Sequence, residues 1–401
     1  MPDGITVGID WGGSLHQVAI VDAAGRQIAN FGVAHDVTGL AALDERLGAY
    51  GEGLPVAVER AEGLLVEHLQ ARGLRVYPVS PRIAARIRER YRVAPVKDDA
   101  FDAFTLADAL RHEQTRWRPL AEPSPLLAEL RALTRDRERI VAEQVRVKSQ
   151  LHASLESYHP AATRLFSSLD RKTALAFVRD YPTPAQAALV GERRMARFLA
   201  RNGYTGRVPA AVLAERLHDN LITAAPGTVA GKRFSACRCA DLLELLTHTR
   251  EAYDARIAEL LARHPDAEVF LSLPGVASVL AATLLAEIGE DRERFPEAAA
   301  LLAEAGLAPV TRQSGKMRRV RFRRAASHRL RQAFTWWAFN SLTESPWARQ
   351  VYDANRGRGQ RQYRALRGLA ACWGRILYRC WQDGVPYDAG RHPGARALIE
   401  A

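Results

Sequence analysis

The chain has 401 residues, 47% of them hydrophobic and 25% charged, with a formal net charge of +12. That length supports two or three domains with real cores, and the composition excludes a globally disordered chain. The positive balance comes largely from arginine and suits a polyanionic partner or an anionic surface, without separating DNA from RNA.

Cys237 and Cys239 form a C-x-C with no second pair at metal-ligand spacing, so these two, with Cys372 and Cys380, read as reduced thiols. The start of the chain has no signal-peptide pattern, and no apolar run reaches the roughly 18 residues needed to span a bilayer. The expectation is a soluble cytoplasmic protein with no membrane partner, nucleoid-associated when engaged with DNA.

In chain order, Ile5–Asp10, Gln17–Val21 and Gln27–Val33 read as strands, with a hairpin turn at Asp22–Gly25. Thr38–Leu47 has helical spacing. Pro55–Val58 is a strand running into Glu59, Glu62–Ala71 a helix, Arg75–Val79 a strand and Pro81–Arg90 a helix. Three antiparallel strands followed by strand–helix alternation predict a mixed sheet flanked by helices.

Asp10 closes the first strand and Glu59 the fourth, while Asp99 and Asp102 lie three apart on a helix that opens near Asp98. Carboxylates gathered this way repel unless a cation offsets them, and Mg²⁺ accepts carboxylate and phosphate oxygens together. The plain alternative is that Asp10 caps a turn and the other acids favour a helix N-terminus. A sugar-kinase or actin-like ATPase also opens on a G-I-D strand and hairpin, although no later phosphate loop of the D-x-G type follows. Asp98 falls outside the acidic face, about 100° from Asp99 around the helix.

Pro119–Pro125 reads as a linker. Beyond it Leu126, Leu130, Leu133, Arg137, Ile140, Gln144, Val147, Leu151, Ser154 and Tyr158 follow a heptad seam, which predicts a long helix paired either with another chain or within its own. Residues 181–233 are broken by Pro and Gly and carry no chemical signal. Asp241–Leu261 is again helical and a candidate to return antiparallel against the first long helix.

Leu273-Pro274-Gly275-Val276 precedes a helix at Ala277–Ile288, a turn that can offer backbone N–H groups to a phosphate. Thr311–Arg331 holds nine Lys or Arg residues and no acid: Arg312, Lys316, Arg318, Arg319, Arg321, Arg323, Arg324, Arg329 and Arg331. Asn355–Gln382 is a second acid-free basic run. Trp336, Trp337, Trp347, Tyr363, Trp373 and Trp381 lie among or beside them, the mixture that phosphate contact and base stacking require, with several tryptophans expected in the core. Ser314, in Gln313-Ser314-Gly315-Lys316, reads on its own as a turn residue in a small loop, yet positive charge around it suits a scissile phosphate.

Taken together, Ile9-Asp10, Glu59, Lys97-x-Asp99-x-x-Asp102-Ala103, Leu273-Pro274-Gly275-Val276, Gly306-Leu307-Ala308-Pro309, Ser314-Gly315 and Leu330-Arg331 resemble the insertion-sequence-110 family of transposases, over about residues 5–112 and 268–340. The resemblance implies an RNase H-like (RuvC-like) α/β DEDD catalytic domain at 1–120, a helical, coiled-coil segment with an insertion at 121–265, and a mainly α-helical transposase domain at 266–390. It implies two Mg²⁺ ions (Mn²⁺ as substitute) on Asp10, Glu59, Asp99 and Asp102, and attack on DNA by Ser314 to give a 5′-phosphoserine. Lys97 and the basic run would contact nucleic acid. Donor and target DNA, a structured guide (bridge) RNA and a homo-oligomer, dimer or tetramer, are the implied partners.

The sequence departs from the family pattern at Ala277, at Gln313-Ser314-Gly315-Lys316 and at Ala326-Ser327-His328, and its 181–250 segment is long. A metal-dependent nuclease using water, and a non-catalytic RNA-binding scaffold, are the alternatives.

Overall fold

The structure, a computed structural model, describes residues 4–91, 98–314 and 317–392. It divides into two compact units, 1–122 and 123–401.

In the first unit, β1 (Thr6–Asp10), β2 (Leu15–Val21) and β3 (Gln27–Ala34) form an antiparallel meander, and β4 (Pro55–Val58) and β5 (Arg75–Pro78) add in parallel on the other side of β1. The sheet order is β3-β2-β1-β4-β5. The parallel β1–β4 pair sits at its centre, and Val7, Ile9, Val56, Ala57 and Val58 are fully buried, as strands covered on both faces must be. The intervening helices are α1 (Val37–Gly48), α2 (Leu64–Ala71) and α3 (Pro81–Tyr91), followed by α4 (Asp99–Glu113). Asp36 caps α1 by accepting from the Gly39 N–H at 2.8 Å.

Gly8 decides where α4 lies. A Cβ at Gly8 would stand 2.1 Å from the Ala103 carbonyl oxygen and 2.5 Å from the Ala107 nitrogen, so the absent side chain lets the α4 backbone press onto β1. Thr6 Oγ1 donates to the Ala107 carbonyl at 2.9 Å and Asn30 Nδ2 to the Ala100 carbonyl at 3.2 Å, which fixes the helix along its length.

The second unit is helical. α5 (Pro125–Glu156) begins at a Ser124 cap and runs through the predicted seam. Five short helices follow, α6 to α10 (Pro160–Leu165, Lys172–Asp180, Pro184–Ala187, Glu192–Arg201, Ala210–His218). Then α11 (Pro226–Ala262) returns antiparallel to α5, starting 15 residues earlier than its apolar spacing predicts. Glu129 pairs with Arg256, Arg137 with Asp254 and Gln144 with Thr247 along the hairpin. Leu130, Val147, Leu151 and Ser154 of the seam are thereby buried within one chain, so the seam itself argues for no second copy.

The hairpin carries a separate core at each end. One gathers Val147, Leu151, Leu155, Phe177, Phe198, Ala240 and Leu243, so the Pro- and Gly-broken segment is a helical cap on the hairpin. The other gathers Leu130, Ile257 and Leu260 with α12 (Ala267–Leu271), α13 (Ser278–Ile288), α14 (Ala298–Glu304), α15 (His328–Glu344), α16 (Pro346–Gly357) and α17 (Gln362–Asp383). Trp337, Trp373 and Trp381 are fully buried in it, and Trp373 donates to Ser341 Oγ at 2.9 Å. Between α14 and α15 lies a two-stranded ribbon, β6 (Val310–Ser314) and β7 (Met317–Arg321). No helix among the described residues is long and apolar enough to cross a membrane.

Candidate active site and nucleic-acid interface

The register Ile9↔Val58 between parallel strands brings Asp10 and Glu59 to neighbouring positions at one end of the sheet. Trp11 and Arg60, the residues that follow them, meet in a cation–π contact at 5.2 Å that ties the two strand ends together. Asp98 caps α4, accepting from the Ala100 N–H at 3.1 Å. Asp102, one turn into α4, is only 2% exposed, whereas Asp99 is exposed to solvent. Three residues apart on one helix, they occupy different environments.

Arg88 of α3 joins this cluster and carried no sequence signal of function. Its Nη1 donates to Asp102 Oδ2 at 2.8 Å and lies 3.5 Å from Glu59 Oε1. Within a run of arginines nothing in spacing marks it. Its one trace is that Ala84, Ile87, Arg88 and Tyr91 share a helical face, two of them buried. Tyr91 anchors that face by donating its hydroxyl to Asp108 on α4. Burial and the Asp108 carboxylate push the phenol up to about 12; burial alone would raise Asp108 too, but Tyr91 and Arg111 hold it below the ordinary carboxylate range.

The donors are right for a hard divalent cation, which takes carboxylate oxygens. Among the described residues, however, no three acidic, His or Cys side chains surround a common point. A guanidinium sits between Glu59 and Asp102 and offsets their charge. Strand register sets Asp10 beside Glu59 and Arg88 links Glu59 to Asp102, while Asp99 is exposed on the same helix turn.

The ribbon is the second locus. Ser314 pairs with Met317 at its end, so the serine expected in a loop is the last residue of a strand. Pairing continues through Gln313↔Arg318, Arg312↔Arg319 and Val310↔Arg321. Every described side chain of β7 is exposed, and alternation puts Ser314, Met317, Arg319 and Arg321 on one face. Arg323 donates to the Ala308 carbonyl at 3.3 Å, Arg329 pairs with Glu138 at 2.9 Å, and Arg331 donates to the Arg323 carbonyl at 3.0 Å. Gly306 makes room for Arg331, since a Cβ there would meet its Nη2 at 2.3 Å. Lys97 and Lys316 lie outside the described residues.

Within the Pro274-Gly275 turn itself the N–H groups are engaged, Val276 donating to the Leu273 carbonyl at 3.2 Å, whereas the first turn of α13 has no side-chain cap. Gly275 (φ +78°) donates to Glu344 Oε2 at 2.7 Å, and the Pro274 carbonyl accepts from Trp337 Nε1 at 2.9 Å. A Cβ at Gly275 would stand 2.6 Å from the Ser341 nitrogen. The turn is a packing device that seats α15 against the start of α13.

Paired acids on a mixed sheet and a separate acid-free basic ribbon suit an enzyme that acts on nucleic acid. Two family models match the chain: a DEDD transposase model of the IS110 type over residues 7–160, and one described as "Transposase IS116/IS110/IS902 family" over residues 267–353. The mini-circle transposase assigned to IS117 in Streptomyces coelicolor is 34% identical over 97% of both chains. The uncharacterized 44.8 kDa protein of insertion element IS116 from Streptomyces clavuligerus is 31% identical over 95% of both, and the uncharacterized 43.6 kDa protein of IS110 from S. coelicolor 29% over 96%. The chain belongs to the IS110 family of transposases and is a DNA transposase. Its mixed sheet is consistent with the RNase H-like fold that a DEDD transposase domain suggests.

Proposed function

We propose that the protein cleaves and rejoins donor and target DNA by phosphoryl transfer, with Ser314 as nucleophile and a divalent cation held by Asp10, Glu59, Asp99 and Asp102.

 The cation is Mg²⁺, with Mn²⁺ as substitute, and two ions fit a set of four carboxylates. What carries this reading is that Asp10 and Glu59 end neighbouring parallel strands while α4 brings Asp102 onto the same sheet end, where Arg88 already offsets their charge.

When bound, the metal would supply positive charge to a phosphate that gains charge during transfer. The chain's own residues do the rest. Asp102 is held by the core on α4, and Glu59 directly follows the buried strand β4. Ser314 Oγ forms a bond to the phosphorus and the bond to the 3′ oxygen breaks. The 5′ end is left as a phosphoserine, and the proton given up by the serine hydroxyl ends, through solvent, on the departing 3′ oxygen. Reversal by another 3′-hydroxyl restores a phosphodiester, so joining needs no nucleotide hydrolysis. Arg319 and Arg321, on the face that Ser314 shares, neutralise the phosphate under attack.

We assign residues 1–120 to catalysis by acids, 121–265 to a helical segment and 266–390 to the serine and basic surface. The partners in this reading are donor and target DNA, a structured guide RNA and further copies of the chain as a dimer or tetramer. Incubation with Mg²⁺, element RNA and donor DNA, followed by intact mass and peptide mapping, tests it. A DNA adduct on Ser314, absent from Ser314→Ala and Asp99→Ala, is expected. Cleavage with no adduct, undiminished in Ser314→Ala, would mean that water is the nucleophile.

A further inference from the structure

α15 and α17 leave a cleft of about 350 Å³ on the surface of the C-terminal unit. Gln332 and Trp336 line it from α15, and Tyr363 and Arg367 from α17, each pair four residues apart and so on one helical face. His328, Arg331 and Thr335 of α15 complete the lining.

Two features set this cleft apart. The first is its aromatics. The core of the unit takes Trp337, Trp373 and Trp381 completely, whereas Trp336 is 55% and Tyr363 71% exposed. Large rings turned outward at one cleft offer flat faces to a planar ligand.

The second is its charge. The ring of Phe322 lies 4.7 Å from the Arg331 guanidinium and 4.5 Å from that of Arg367, so both cations are held in place by the same ring. Arg331 Nη2 is tied to the Arg323 carbonyl, while its Nε is buried without a hydrogen-bond partner. Among the described residues neither Arg331, Arg364 nor Arg367 pairs with a carboxylate, in contrast to Arg329 with Glu138 and Arg379 with Asp383. Burial, then the neighbouring Arg331 and Arg364, holds Arg367 below the ordinary guanidinium range. Cations kept together in this way are stabilised by an anion.

An acidic peptide would satisfy the arginines and leave the rings bare, and in duplex DNA the base faces are already stacked. An unpaired nucleotide answers both features, and the Gln332 amide supplies a donor and an acceptor for a base edge. We propose that this cleft seats one unpaired nucleotide of an opened strand, its base on the Trp336–Tyr363 surface and its phosphate on Arg331 and Arg367. The proposal rests on the reading of the chain as a nucleic-acid strand-transfer enzyme and adds where an opened strand is gripped.

The test is equilibrium binding of the full chain to labelled oligonucleotides of one sequence, as single-stranded DNA, single-stranded RNA and duplex DNA, at fixed salt. Trp336→Ala and Tyr363→Ala should each weaken binding of a single strand by roughly 5- to 100-fold. Trp336→Phe should retain most of the affinity, and duplex binding should change by less than about twofold in all three variants. The strand type that suffers the larger loss identifies the source of the nucleotide. Equal losses on single strand and duplex, no loss on either, or a wild-type chain that binds duplex but no single strand would overturn the cleft while leaving the transposase reading intact. A wild-type chain that binds none of the three would overturn both.

Discussion

The acidic site and the basic ribbon are built in opposite ways. Asp102 is 2% exposed, Asp10 and Glu59 extend from strands that are wholly buried, and Gly8 lets α4 lie against their backbone. β7 has every side chain in solvent, and Ser314 stands at the ribbon's end, away from any core cluster. Groups that share one small cation must be held to a fraction of an ångström, which only a packed scaffold does. Groups that meet a polyanion can rely on the ligand's own charge to order them, at a cost in salt sensitivity.

The largest effect that sharpens this contrast is on chemistry. Asp102→Ala should lower donor-strand cleavage by about a hundredfold or more, read in a gel assay under single-turnover conditions. Ser314→Ala should remove the covalent DNA adduct altogether and yet leave unfolding within about 0.5 kcal/mol of wild type in urea. A marked loss of stability in that variant would make the serine structural and break the comparison.

Acid separates the regions next. His159 is fully buried in the hairpin's cap, and burial lowers it to about 4 from 6.5. The unfolded chain therefore binds a proton that the folded one refuses. Stability is full above pH 6.5 and falls by about 3 kcal/mol on descending towards pH 4. Denaturant titrations across that window should show the fall, and His159→Leu should flatten it.

Arg88→Ala should cost about 2 kcal/mol in metal-free buffer, less than a fully buried pair because the guanidinium is a third exposed. Thermal melts with added Mg²⁺ should recover part of the loss; no recovery would separate Arg88 from the metal-holding role of its partners. The smallest effect is Arg319→Ala, which should reduce the salt slope of duplex binding by about one without changing the melt.

Strand runs of period two in the first unit, with an acid at the end of two of them, were readable without coordinates, and β1 to β5 fall within two residues of their expected bounds. The acid-free basic run was equally plain, but its shape was not: exposed arginines lack the apolar alternation that marks a strand, so the ribbon stayed hidden. The start of α11 was missed for a related reason. Pro226-Gly227 and the polar turns after it have no strong helical stripe, and packing on α5 supplies what propensity does not.

By itself, then, the sequence determined the order of elements in the first unit, the positions of the four acids along it and the location of the positive charge, because local patterning and composition are properties of the chain. Only the tertiary structure decided that β1 and β4 are parallel neighbours, that Asp102 is buried while Asp99 is not, and that Arg88 stands between two acids. It also turned the heptad seam inward onto α11 and closed the Pro274-Gly275 turn with Glu344 and Trp337. Each of these depends on which distant segments meet, and contact between distant segments is set by packing rather than by spacing along the chain.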